Sequence, residues 1–219
     1  MQNNEIHDPL KSLDKIYEPD ERQSSFTADL PDIHKSLTLI TLNEAVPLAV
    51  KQLFETAKNL SLYTWFVYRF HQPAELISFA AMEMALRHRY LSENPDLPES
   101  QKKLLSLYKL LQHAKKEKWL RNEGFKNRYA IARHNAEIRK ASEALSVSDL
   151  KEGQSLLLED PTEEEIALAM SELDMVAAIS DHSNKIRNNL AHGSETLHWD
   201  SISTIALNAE VINQIYPCT

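Results

Sequence analysis

The sequence predicts an all-α fold, and three observations carry that prediction. Only 3 of the 219 residues are glycine, so tight turns are few. Apolar side chains recur at three-and-four spacing over long stretches, which is the period of an amphipathic helix. No segment alternates apolar and polar residues in the manner of a strand. With 42% of its residues apolar, the chain can bury a sizeable core and lacks the composition of a disordered protein.

Residues 1–32 are polar and interrupted by Pro9, Pro19 and Pro31, which predicts an extended, partly ordered arm with at most one short helix. Residues 33–219 are expected to form a single helical domain. Its first long helix should start after Asn43, a good N-cap, with Pro47 tolerated in the first turn. Val50, Leu53, Phe54, Ala57 and Leu60 carry the helix to about Phe70, with a break near Ser61.

His71-Gln72-Pro73 reads as a stop and restart. The helix that follows runs to about Leu91 and places Leu76, Phe79, Ala80, Glu83, Leu86, Arg87 and Tyr90 at helical spacing. Glu83 therefore lies on or beside the buried stripe, as a structural ion-pair partner or as a site carboxylate. Asn94 to Pro98 is a loop. A basic helix is expected from Glu99 to Asn122 with Gly124 as its C-cap, and another from Phe125 to Leu145. The two would form a basic helical hairpin over residues 102–146. Trp119, Phe125 and Tyr129, near its turn, serve either as packing residues or as platforms for bases.

Residues 146–161 read as an acidic linker. Asp160-Pro161-Thr162 is a helix start, with Glu163, Glu164 and Glu165 in the first turn of a helix reaching residue 192. On a helical wheel, Ile179, Ile186 and Leu190 form its apolar side. Asn184, Arg187, Asn188 and His192 form an opposite, polar arc. A last amphipathic segment covers Ile202 to Ile215.

The net charge of −8 hides an asymmetry. Between Lys102 and Lys140 there are 12 basic and 3 acidic residues, a balance of +9 that leaves −17 (−8 minus 9) for the rest. A globally acidic protein does not coat nucleic acid indiscriminately, but so dense a basic stretch can guide one strand. Lys115, Lys116, Arg121 and Arg128 are the expected RNA contacts. No apolar run approaches the ~20 residues of a membrane span, so no membrane partner is expected. The polar, acidic Met1–Asp14 segment does not read as a secretory signal, and a cytoplasmic location is expected. The single Cys218 excludes an intramolecular disulfide. No glycine-rich phosphate loop and no zinc-type Cys/His cluster occurs, so neither a metal nor another cofactor is expected.

The stretch with the character of chemistry is Arg187-Asn188-Asn189-Leu190-Ala191-His192-Gly193. An always-charged guanidinium beside an imidazole that titrates near neutral pH can hold phosphate oxygens and move a proton. A second arginine followed by a histidine after four to six intervening residues occurs from Arg128 to His134. There, however, Tyr129 follows the arginine and the helix is expected to run on. At Arg187 a small amide follows and the helix ends at the histidine. The local alternative is that Arg187 and His192 simply interact with the helix dipole and its last carbonyls.

Arg187-Asn188 through His192, followed by the Ile202–Ile215 segment, resembles the signature of the HEPN superfamily. These are all-helical domains of prokaryotic toxins, phage-defence proteins and RNA-processing factors. Glu75-Leu-Ile-Ser-Phe-Ala-Ala-Met-Glu83-Met-Ala-Leu-Arg87 is similar to the small-residue helix with an inward acid that such domains often carry. The resemblance covers residues 44–216. It implies a HEPN-like helical bundle and a metal-independent endoribonuclease, of toxin or defence type, that cleaves RNA by ribose-hydroxyl attack. Arg187, His192 and Asn188 would be the catalytic set, with Glu83, His198 and Asn184, and then His182 and Trp199, as second-tier candidates. It further implies a homodimer with two facing motifs, and an antitoxin or regulatory protein as a partner. The rival reading is a non-catalytic HEPN-like module binding RNA, nucleotide or protein; a purely helical adaptor is a third.

Overall fold

The computed structural model describes residues 8–25, 27–147, 158–192 and 199–218, which leaves most of the acidic linker, Gly193 and His198 outside the described residues. Nine α-helices are present among the described residues, and none of those residues is in a strand. The helices are α1 (Leu30–Thr38), α2 (Leu48–Leu62), α3 (His71–Glu93), α4 (Glu99–Lys102), α5 (Leu107–Lys116), α6 (Arg128–Val147), α7 (Glu163–Glu172), α8 (Met175–Ala191) and α9 (Ser201–Ile215). Among the described residues, no helix is long and apolar enough to cross a membrane.

α3 is the axis of the bundle and packs against α2, α9, α8 and α5. Ala74, Ser78, Ala81 and Ala85 recur along it at three-and-four spacing and are all fully buried. Such small side chains let neighbouring helices approach closely, so α3 is buried nearly all round rather than along one stripe. Phe54, Met82, Leu86, Leu110, Leu111, Ile205 and Ile212 fill the space between the helices, each removed from water. Each such side chain contributes about 1.5–3 kcal/mol through the water it excludes.

Several boundaries differ from the expected ones. α2 starts at Leu48, not after Asn43. The Asn43 side chain instead donates to the Asn213 and Tyr216 carbonyls, and its backbone N–H donates to Asn213 Oδ1, so it fastens the chain to the end of α9. The expected break near Ser61 falls at Leu62, followed by two short 3-10 turns, Tyr63–Trp65 and Tyr68–Phe70.

The long helix expected over 162–192 is two helices. α7 opens on Thr162 in a reciprocal capping box with Glu165, as its sequence signals. It stops at Leu173, where the backbone is extended. Asp174 then caps α8 by accepting from the Ala177 N–H, while the Val176 N–H donates to Asn122 Oδ1. These acceptors satisfy the free donors of a new helix start, and that stabilises the break.

The basic hairpin is also different from its expectation. α5 ends in a left-handed residue, Lys118 (φ 58°), with the Trp119 N–H returning to the Ala114 carbonyl. Lys118 thus takes the capping role expected of Gly124. Gly124 instead lies against α9, where an added Cβ would meet the end of the Gln214 side chain and displace it from the Arg121 N–H it accepts from. The leucine stripe of α5 packs on α3 and α8, whereas α6 pairs with α7. Ala132 and Ala136 meet Ile166 and Ala169 in a small separate core. The basic side chains of α6 face acids: Arg139 meets Glu172 at 2.5 Å, Lys140 meets Glu165 at 3.6 Å and Arg133 meets Asp160 at 3.6 Å. Three cations of the +9 stretch are therefore paired with acids at the surface of the fold.

The described part of the N-terminal arm is held down rather than trailing. Arg22 pairs with both Asp8 and Asp20 and lies 4.5 Å from the centre of the Tyr68 ring. Arg69 reaches Asp8 as well, at 2.6 Å. The Asp20 backbone N–H donates to the Trp65 carbonyl, and its carboxylate accepts from the Tyr68 N–H. The Arg22 hydrogen bond, opposed by burial and aided by the Tyr68 N–H, holds the Asp20 carboxyl down at about 2. At Asp8, burial works to raise the carboxyl, and the hydrogen bonds and charges of Arg22 and Arg69 outweigh it.

Candidate functional site

The upstream acid and the motif arginine meet. Arg187 Nη2 donates to Glu83 Oε2 at 3.3 Å, joining α8 to α3. The other carboxylate oxygen of Glu83 accepts from Arg87 Nη2 at 3.1 Å. Arg87 is itself tied to the Lys102 and Leu105 carbonyls at 3.1 and 2.5 Å, which anchors the chain entering α5. Glu83 thus bridges two guanidinium groups, both about one-third exposed. Its side chain is 16% exposed and that of Arg187 37%. Arg187 Nη1 also donates to Asn188 Oδ1 at 3.2 Å.

Arg187 does not lie on an arc opposite the buried face. The buried face of α8 runs through Met175, Val176, Ile179, Ser180 and Ser183, and Arg187 continues it one turn on. Ile186, assigned to the apolar stripe by the wheel, is 47% exposed. The reason is close packing: serines at 180 and 183 let α8 approach its neighbours, so small polar residues mark its inner side. Asn184 and Asn188 are half-buried along the flank of this seam, one turn apart. His192 sits at the C-cap with its side chain exposed and its backbone N–H on the Asn188 carbonyl at 2.9 Å.

Arg187 and His192 are five positions apart, a rise of about 7.5 Å along the helix. Among the described residues, Arg187 donates to Glu83 and Asn188, two of its five guanidinium donors. The arrangement suits a group large enough to touch both ends of the last turn and a half, as a phosphodiester is. Among the described residues, no group of three or more His, Cys, Asp or Glu side chains is placed to hold a metal ion.

The second-tier residues separate. His182 is exposed and hydrogen-bonds the Ala178 carbonyl in its own helix at 2.9 Å. Trp199 is exposed at the entry to α9, and His198 lies outside the described residues.

The four expected RNA contacts also divide. Lys115, Lys116 and Arg121 are exposed. Arg128 is half-buried and donates to the Met170 carbonyl at 2.8 Å, so it ties α6 to the end of α7. Trp119 is buried with Arg89 4.4 Å from its ring centre, and Phe125 is buried in the core. Both are packing residues. Tyr129 is exposed, with its hydroxyl on Glu163. Lys115 lies beside Asp174 at the start of α8, while Arg187 and His192 stand at its far end.

A buried polar seam joins α3 to α9. His71 Nδ1 and Ser61 Oγ each lie 2.8 Å from Ser201 Oγ, Thr204 donates to Glu75, and Asn208 donates to Ser78. The signal for it lies in the spacing: 71, 75 and 78 on one helix, and 201, 204 and 208 on the other, repeat at helical intervals inside apolar segments. The seam locks the register of α9 against α3, the helix that carries Glu83. No protein-family model, no curated protein and no solved structure matches the chain, so the reading of this site rests on its own geometry.

Proposed function

We propose that the protein is a HEPN-like, metal-independent endoribonuclease whose reacting groups are Arg187 and His192. The observation that carries the reading is the half-buried Glu83–Arg187–Asn188 set, one helical turn from an exposed histidine. Glu83 fixes the arginine so that its remaining donors face outward, ready for phosphate oxygens without reorganisation. In the proposed reaction a ribose 2′-hydroxyl attacks the adjacent phosphorus. His192 removes that hydroxyl's proton or supplies one to the departing 5′-oxygen, and Arg187 stabilises the charge on the phosphorane. The products are a 2′,3′-cyclic phosphate and a 5′-hydroxyl.

One arginine and one histidine are a thin catalytic set, which is why a second copy presenting the same pair across a shared cleft belongs to the reading. Exposed Lys115, Lys116 and Arg121 supply the electrostatic hold on the strand away from the reacting groups. A toxin or defence role, with an antitoxin or regulatory protein as its partner, fits such an activity.

The test is cleavage of a mixed-sequence RNA by the full chain, with and without chelator, alongside the Arg187→Ala and His192→Ala variants. Cleavage that persists with chelator, disappears in both variants and fails on an RNA with a deoxyribose at the cleaved position supports the reading. Binding without cleavage of any RNA supports the non-catalytic binding module instead.

A further inference from the structure

A cleft of about 140 Å³ lies between residues 23–33, the start of α3 and the start of α9. Ile33 and Ile202 form apolar walls, and the Trp199 indole stands beside them, with 60% of the residue exposed. The polar groups of the lining are few and held from behind. Thr64 Oγ1 donates to the Ser61 carbonyl, and His71 Nδ1 pairs with Ser201 Oγ at 2.8 Å. Two lining residues each keep an acceptor oxygen in reserve. Gln23, only 8% exposed, donates from Nε2 to the Thr64 carbonyl at 3.1 Å, which fixes its amide. Its Oε1 accepts no hydrogen bond among the described residues. Asp200 accepts from the Ser203 N–H through Oδ1, and its Oδ2 likewise has no partner among the described residues.

These features select a ligand by size, shape and hydrogen bonding. An apolar cavity of about 150 Å³ takes one benzene ring, so this cleft has room for a single six-membered ring. An indole at its mouth favours a flat, aromatic one, which it can stack against. Enclosed acceptors without partners cost free energy until a donor meets them. The ring must therefore carry N–H hydrogens, and an exocyclic amino group carries two. A carbonyl in its place would set oxygen against oxygen, and such a mismatch discriminates far more strongly than a methylene does.

We infer that the cleft binds one aromatic ring bearing an amino group, with the ring against Trp199 and the amino hydrogens donated to Gln23 Oε1 and Asp200 Oδ2. Among nucleobases, cytosine has that size and that group. Uracil, of equal size, presents a carbonyl oxygen in the same place, and adenine adds a second ring. The motif points to this end of the bundle. α8 begins where the Val176 N–H meets Asn122, near Trp119, whose ring lies under Arg89 towards the C-terminal end of α3. It then reaches Glu83 through Arg187, so it runs antiparallel to α3 and its last turn heads for the end where His71 and Ser201 pair. The ring can come from two sources, a base of the RNA strand held at Arg187 and His192 or a free nucleotide. Only the first rests on the proposed nuclease reading.

The experiment titrates the full chain with cytidine, uridine and adenosine monophosphates and follows binding by nuclear magnetic resonance. Cytidine monophosphate is expected to bind roughly tenfold or more tightly than either of the others. Trp199→Ala removes the stacking wall and should weaken it roughly tenfold. Asp200→Asn keeps a good helix cap but puts an amide where a carboxylate stood, so cytidine should lose affinity while uridine gains it. A loosened fold would lower both. Sequencing the ends of cleaved mixed-sequence RNA separates the two sources. A cytosine at a fixed distance from the cut, lost in Asp200→Asn, assigns the ring to the strand; cytidine binding without that bias assigns it to a free nucleotide. Equal binding of cytidine and uridine monophosphates, a preference for adenosine, cytidine binding unaltered in both variants, or neither binding nor bias overturns the inference. Cytidine binding by a chain that cleaves no RNA leaves the inference standing and removes the nuclease reading. Cleavage with neither cytidine preference nor cytosine bias does the reverse.

Discussion

Arg187 Nη2 lies 3.3 Å from Glu83 Oε2, across a sequence separation of 104 residues. The pair makes different demands on its two members. Glu83 keeps a second partner in Arg87 if Arg187 is removed, whereas Arg187 loses its only carboxylate among the described residues if Glu83 is neutralised.

Arg187→Ala should therefore lower stability by no more than about 1 kcal/mol, the scale of a half-exposed ion pair. RNA cleavage should fall roughly a hundredfold in this variant and in His192→Ala. Glu83→Gln keeps the shape but not the charge, and should reduce turnover by an intermediate factor without changing RNA affinity. Thermal melts and single-turnover kinetics on the same preparations check all three. A Glu83→Gln variant that cleaves RNA as fast as the wild type would show that the carboxylate matters only to the fold.

Reversing the charges of Lys115, Lys116 and Arg121 should weaken RNA binding. It should also reduce the slope of affinity against salt by about one for every phosphate left without its cation. Arg128→Ala belongs to a different class. It removes a charged donor from the Met170 carbonyl, so it should cost about 1–3 kcal/mol in stability and leave the salt slope unchanged. Filter binding at several salt concentrations, paired with urea titration, separates the two groups.

Asp174→Ala should cost about 1 kcal/mol, because the N-terminal donors of α8 lose their side-chain acceptor. Replacing Leu173 with alanine while Asp174 is kept should not fuse α7 and α8 into one helix. Circular dichroism that rises in the Asp174→Ala variant, signalling a continuous helix, would contradict the role given to this cap.

The arm should respond to acid before the bundle does. The folded Asp20 carboxyl stands at about 2 against an ordinary value of 3.8, so its contribution to stability is fully present above about pH 4. That contribution is lost as pH falls through the folded value. Asp8, also lowered, acts in the same direction. Limited pepsin digestion between pH 4 and 2 should show cleavage in residues 8–20 increasing over that window, ahead of cleavage in α3. An arm equally protected at both ends of the window would mean that Arg22 does not hold it.

The helices were legible where local signals agree. Thr162 with Glu165, and the restart at His71-Gln72-Pro73, fall at or next to the observed boundaries because capping chemistry is local. The Asn43 cap and the unbroken 162–192 helix missed because long-range demands intervene: Asn43 holds the end of α9, and Asn122 joins Asp174 in taking up α8's first donors. The wheel for α8 placed Ile179 and Leu190 on the core side as found, and it failed at Ile186 for a physical reason. It ranks isoleucine as inward and serine as outward, yet close helix packing rewards small side chains, so Ser180 and Ser183 are buried and Ile186 is exposed. That rotation also hid the meeting of Glu83 with Arg187. Charge counting overstated the basic hairpin, since a linear sum cannot show that Arg139 and Lys140 spend their charge on α7.

The α6–α7 pair has a consequence for how the molecule breathes. Its interior is Ala132, Ala136, Ile166 and Ala169, with Ile131 and Leu173 linking it to the main core. Alanines bury little area, and the ion pairs around them are largely exposed, so this pair is held far more weakly than the helices around α3. It is expected to open as a separate cooperative unit at the low end of the stability ladder. Amide protons of α6 and α7 should therefore exchange by sub-global opening, sensitive to ionic strength, while those of α3 wait for complete unfolding.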